Sequence, residues 1–112
     1  MNDNELCNKN CTACRLGTPP LAEDDINEYM SKISSDWKLV DTSHIVRVFT
    51  LKNFTEAMTF VNKIAECAES EGHHPDITIS WNKVTLILTT HASKGLTEND
   101  FIMAYKIDDI AK

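Results

Sequence analysis

GHHPDITISWNKVTLILTTH, residues 72–91, is the stretch on which the fold turns. Apolar side chains recur at every second position, Ile77, Ile79 and Trp81 and then Val84, Leu86 and Leu88. That is the period of a half-buried strand. Asn82-Lys83 interrupts the alternation and reads as the two-residue loop of a β-hairpin. In that register Trp81 faces Val84, Ile79 faces Leu86 and Ile77 faces Leu88, so the six apolar side chains share one face. The register also sets His74 opposite His91, off the apolar stripe and at the open end of the hairpin. His73 joins them only if the backbone at Gly72-His73 departs from regular strand, because neighbouring strand residues point to opposite faces. Gly72 and Pro75 make such a departure plausible. A regular buried element gains little from paired imidazoles, whose ring nitrogens all need partners or water.

Upstream, Asn53 with Glu56 three residues later opens an amphipathic helix, and Gly72 stops it. Its apolar positions are Ala57, Met58, Val61, Ile64, Ala65 and Ala68. Before it, WKLVDTSHIVRVFTL, residues 37–51, is rich in β-branched and aromatic residues and is broken by the turn-prone Asp41-Thr42-Ser43, which predicts two short strands. The second of them, HIVRVFT, is expected at the sheet edge, where it could add to a partner's sheet. A first helix is predicted over Ala22 to Ser34, with Glu23, Asp24 and Asp25 in its first turn and Ile26, Tyr29, Met30 and Ile33 at helical spacing. A last helix begins at Thr97 and turns Phe101, Ile102, Ala104 and Tyr105 inward. The order α-β-β-α-β-β-α predicts an α+β fold: a single four-stranded antiparallel sheet with helices on one face. Its other face stays available to a partner subunit or ligand.

At 112 residues the chain suits one domain, with a Cys-containing arm over 1–20 ended by Pro19-Pro20 and a single domain over 21–112. Hydrophobic residues at 42% and charged residues at 25% match an ordinary globular protein. A net charge of −6, with basic residues scattered singly, argues against direct nucleic-acid binding. No apolar run approaches the roughly 20 residues of a membrane span, and no signal core opens the chain, so a cytoplasmic protein is expected. Cys7, Cys11 and Cys14 share the spacing of the cluster-binding triplet of radical enzymes that use S-adenosylmethionine, but those enzymes need a large barrel. A zinc site would want a fourth ligand that the local sequence does not supply. Free thiols are expected, Cys67 among them as a small buried hydrophobe.

One series of residues carries a family likeness. Glu69, three residues, His73-His74-Pro75, five residues, Trp81, nine residues, His91, eight residues and Asp100 together resemble the signature of the pterin-4a-carbinolamine dehydratases. CTACRLGTPPL at 11–21, Trp37 and GLTENDF at 95–101 extend the likeness over nearly the whole chain from Cys11. The resemblance implies dehydration of a 4a-hydroxytetrahydropterin to quinonoid dihydropterin, with no metal or other cofactor, in a homodimer or homotetramer. His73, His74 and His91 would form the acid/base set. Asp100 would hold an imidazole or contact the pterin, and Trp81 and Pro75 would shape the pocket. Histidine suits the chemistry, because its unperturbed pKa of about 6.5 makes both protonation states abundant near neutrality. The family also includes animal relatives that serve as dimerisation cofactors for a homeodomain transcription factor, which leaves a non-catalytic interaction role as the alternative.

Simpler roles compete for several of these residues. Thr97 followed three residues later by Asp100 is also a capping-box pattern, and the two readings of Asp100 stay open. Trp81 reads more readily as core or hairpin packing, Glu69 as a solvated helix residue and His44 as a surface residue without a role.

Overall fold

The computed structural model describes residues 19–112. Cys7, Cys11 and Cys14, and with them most of the expected arm, lie outside the described residues. The element order is α1 (Glu23–Met30), β1 (Lys38–Val40), β2 (His44–Thr50), α2 (Phe54–Glu71), β3 (Asp76–Ser80), β4 (Lys83–Leu88), a 3₁₀ turn (His91–Ser93) and α3 (Glu98–Ile110). The four strands form one antiparallel sheet in the order β1-β2-β4-β3. The α+β architecture and the order of elements are those expected from the sequence. Among the described residues no helix is long and apolar enough to cross a membrane.

The local signals act where the sequence places them. Asn53 caps α2 by accepting the Glu56 N–H at 2.8 Å, and Gly72 ends the helix in the left-handed region at φ +67°. Between these stops α2 buries Ala57, Phe60, Val61, Ile64 and Ala68. Phe60 completes that stripe, whereas Ala65 is exposed. From the sheet, Ile45, Phe49, Val84, Leu86 and Leu88 meet α2 and α3 in the same core. Helix α3 runs through the middle of it, with Phe101, Ile102, Met103, Ala104 and Ile107 all buried. Cys67 is half-buried on α2, and burial pushes its thiol up.

Three expectations need correction. Helix α1 stops at Met30 rather than Ser34. Beyond it the chain turns so that Ile33 is buried and the Ser34 N–H reaches the Asp108 carboxylate at 2.9 Å, contacts that a continued helix would forgo. Strand β2 is not an edge strand, since it pairs with β1 on one side and β4 on the other. The edges are β1 and β3.

The third correction is the hairpin register. Ile77 faces Leu86, Ile79 faces Val84 and Ser80 faces Lys83, so the two-residue loop is Trp81-Asn82 rather than Asn82-Lys83. Trp81 adopts φ +50° in that loop and stands 64% exposed, neither core nor strand packing. Asn82 holds the turn in place: its side chain donates to the Leu51 carbonyl at 3.0 Å, and its own carbonyl accepts the Leu51 N–H at 2.8 Å. Strand pairing stops short of the histidines, so His74 and His91 are not a facing strand pair.

Candidate active site

His73 and His74 occupy the joint between α2 and β3. Gly72 swings the chain out of the helix, and the His73 N–H still bonds back to the Ala68 carbonyl at 3.3 Å. Pro75, which has no N–H to give a ladder, is buried just before β3 begins at Asp76. The backbone at Gly72-His73 is therefore not regular strand, the condition under which both imidazoles can serve one site. His73 points inward, its side chain 12% exposed, and His74 points outward at 58%.

His91 comes from the far side of β4. There Thr90 and Gly95 close a short loop with reciprocal backbone bonds, Thr90 N–H to Gly95 carbonyl at 3.0 Å and the reverse at 3.3 Å. His91 opens the 3₁₀ turn inside that loop, and Lys94 closes it in the left-handed region at φ +56°. The His91 side chain is exposed.

Asp100 connects the two segments from beneath. It is fully buried at the start of α3. Its Oδ2 accepts the Thr97 N–H at 2.9 Å and the Thr90 hydroxyl at 2.7 Å, and its Oδ1 lies 2.6 Å from His73 Nε2. An ionised carboxylate only accepts, so His73 carries a proton on Nε2 and, in the neutral ring, leaves Nδ1 as the acceptor. Thr90 has a single hydroxyl hydrogen and gives it to Asp100, so the Thr97 hydroxyl, 2.8 Å away, donates to Thr90. The competing readings of Asp100 are thus both satisfied at once: it caps the helix and holds an imidazole.

The three imidazoles meet at a cavity of about 300 Å³, whose wall also includes Thr89, Thr90 and Asn99. Thr90 and the buried Asn99 were missed in the sequence, where a threonine at a strand end and an asparagine in a helix's first turn carry no distinguishing signal. Glu69, from the last turns of α2, pairs with His74 Nε2 at 2.5 Å in an exposed contact. The remaining candidates stand apart: Pro75 shapes the joint without lining the cavity, and Trp81 lies at the opposite end of β3. A larger hollow of about 700 Å³ runs between α2 and α3 past Lys63, Cys67 and Lys106. It holds none of the histidines, and its Lys106–Glu71 pair is already matched at 2.7 Å. Among the described residues, imidazoles converge on the smaller cavity.

Known proteins resemble this chain in sequence and fold. A protein of Alkaliphilus metalliredigens, provisionally named a pterin-4-alpha-carbinolamine dehydratase, is 48% identical over 94% of this chain and 95% of its own. A provisionally named counterpart from Rubrobacter xylanophilus is 41% identical over 93% and 96%. Among solved structures, a transcriptional coactivator/pterin dehydratase from Brucella melitensis superposes with a TM-score of 0.78 at 36% identity, covering 83% of this chain and 99% of that one. A pterin dehydratase-like RuBisCO assembly factor of the alpha-carboxysome, at 20% identity and a TM-score of 0.59 over 68% of this chain and 89% of its own, shares the fold. The family model for pterin 4 alpha carbinolamine dehydratase matches residues 19–110, and the chain belongs to that family.

Proposed function

We propose that this chain dehydrates a 4a-hydroxytetrahydropterin to quinonoid dihydropterin and water by histidine acid/base catalysis, returning spent pterin cofactor for reduction. The observation that carries this reading is the convergence of His73, His74 and His91 on one cavity of about 300 Å³. That volume is at the lower end of small-ligand sites, the size class of a fused bicyclic ring.

The reaction needs two proton movements. An acid protonates the hydroxyl on C4a as its C–O bond breaks, and a base removes the N5 proton as the C4a–N5 double bond forms. His73 suits the base, because Asp100 fixes its tautomer and orientation through Nε2 and leaves Nδ1 to accept. His74 and His91 are exposed, can recover protons from water, and suit the acid. Positioned proton transfer typically contributes about 10²–10⁴-fold, enough for a reaction that already proceeds slowly unaided. We assign the chain to the cytoplasm and, in keeping with the family resemblance, to a homodimer or homotetramer.

Stopped-flow absorbance on freshly generated carbinolamine tests the assignment. His74→Ala and His91→Ala are each expected to lower turnover by at least ~10-fold with the circular dichroism spectrum unchanged. Unchanged rates in both variants would remove the catalytic assignment. The Brucella relative's name joins coactivator to dehydratase. A folded wild-type chain that does not turn over the carbinolamine would move this protein to the interaction role.

A further inference from the structure

The loop that carries His91 is held from outside as well as from beneath. Residues 19–21 cross over it before α1 begins, and the Leu21 N–H bonds the Leu96 carbonyl at 2.8 Å. One residue earlier, Pro20 lies against Gly95 so closely that a Cβ on Gly95 would sit 2.8 Å from the Pro20 Cβ and 3.5 Å from its Cγ. Gly95 is not in the left-handed region, so conformational freedom does not explain the glycine. The contact does. A proline Cβ sits in a ring bonded to the backbone and cannot swing aside as the tip of a long side chain can.

Gly95 is also the residue whose N–H and carbonyl close the loop onto Thr90. Thr90 in turn donates to Asp100, which holds His73. Moving Gly95 therefore moves the closure on which His91 sits, and with it the threonine that shares Asp100 with His73.

We propose that Pro20 is a positioning residue for the acid/base site: packed on Gly95, it clamps the loop that presents His91 to the cavity. The role of His91 rests on the dehydratase reading above, but the clamp itself can be read without turnover.

The test uses the full chain as wild type, Gly95→Ala, Pro20→Gly and the double variant, and has three readouts. The first is the imidazole Cε1–H resonance of His91, with His44, bonded to Ser43 at 2.6 Å on β2, as internal control. Gly95→Ala is expected to shift the His91 signal and leave His44 in place, and the double variant, with the Pro20 ring gone, to bring it to the Pro20→Gly position. The second is turnover of the carbinolamine. Gly95→Ala should lower kcat by ~10- to 10²-fold with KM changed much less, and adding Pro20→Gly should bring the rate back to the Pro20→Gly level. A His91 resonance unmoved by Gly95→Ala, or purely additive losses in the double variant, overturns the clamp. The third readout covers a Gly95→Ala chain that does not fold. Pro20→Gly, at an exposed residue, should speed hydrogen exchange at the Thr90 and Gly95 amides by ~10-fold. Unchanged exchange overturns the clamp. If the wild type does not dehydrate the carbinolamine, the dehydratase reading fails alone, and the resonance and exchange measurements still decide the clamp.

Discussion

Helix α3 carries a carboxylate near each end, and both sit in cages of three donors. Asp100 accepts from the Thr97 N–H, the Thr90 hydroxyl and His73 Nε2 at 2.6–2.9 Å. Asp108 accepts from the Ser34 N–H at 2.9 Å, Trp37 Nε1 at 2.7 Å and Arg47 Nη1 at 2.5 Å. By hydrogen bonding the two are near equals. What separates them is the chemistry of the partner. Arginine stays charged and an indole N–H only donates, so neither side chain beside Asp108 can exchange a proton near neutrality. The imidazole beside Asp100 has a second nitrogen that can. A satisfied, inward-facing carboxylate marks a junction in this fold, and the titratable partner is what makes one junction a candidate for chemistry.

Exchanging oxygen for an amide at each end breaks the comparison most directly. Asp100→Asn presents an NH₂ to one of three donors and frees the His73 tautomer. Turnover is expected to fall by ~10²-fold or more and unfolding stability by about 3 kcal/mol, read from stopped-flow rates and urea midpoints. Asp108→Asn should lower stability by a similar ~2–4 kcal/mol, because the Arg47 guanidinium, 14% exposed, loses its buried countercharge, yet turnover should stay within ~2-fold. A comparable loss of rate in both variants would erase the distinction between the two carboxylates.

Smaller effects sharpen the contrast. The Glu69–His74 pair is exposed on both sides, 77% and 58%, so solvent and salt weaken it. Glu69→Gln should change turnover by no more than ~3-fold, and that change should shrink further at high salt. Trp81→Gly is the mildest. It relieves a bulky residue at φ +50° and gives up the covered part of an indole that is 64% exposed, two effects of opposite sign, so stability should stay within roughly 1 kcal/mol with turnover unchanged. A marked loss of turnover in Trp81→Gly would bring that indole back into the site, despite its position at the far end of β3.

Much of this molecule is legible in its amino-acid sequence. The stop at Gly72, the strand alternation and the spacing of His73, His74, His91 and Asp100 are local patterns, and the fold brings those four side chains together. The strand pairing expected to join His74 to His91 is nonetheless wrong in detail. Shifting the loop from Asn82-Lys83 to Trp81-Asn82 moves the pairing by two residues, and a shift of two keeps every side chain on its face. Alternation alone cannot tell the two registers apart. The place of β2 inside the sheet is equally hidden, because its pairing with β4 spans the whole of α2. Arg47 gives no sign in the sequence that it faces the core side, stacked 4.1 Å over Phe49, because its partner Asp108 stands 61 residues away.

The amino-acid order by itself determined the elements, the caps of α2, the buried face of the β3-β4 hairpin and the residue types from which a proton-transfer site could be built, since these follow from backbone preference and from periodicities of two and 3.6. The tertiary structure alone decided the hairpin register, the strand order and the sets of donors that cage Asp100 and Asp108. Those depend on pairings between distant segments, where several arrangements satisfy the same local pattern and packing selects among them.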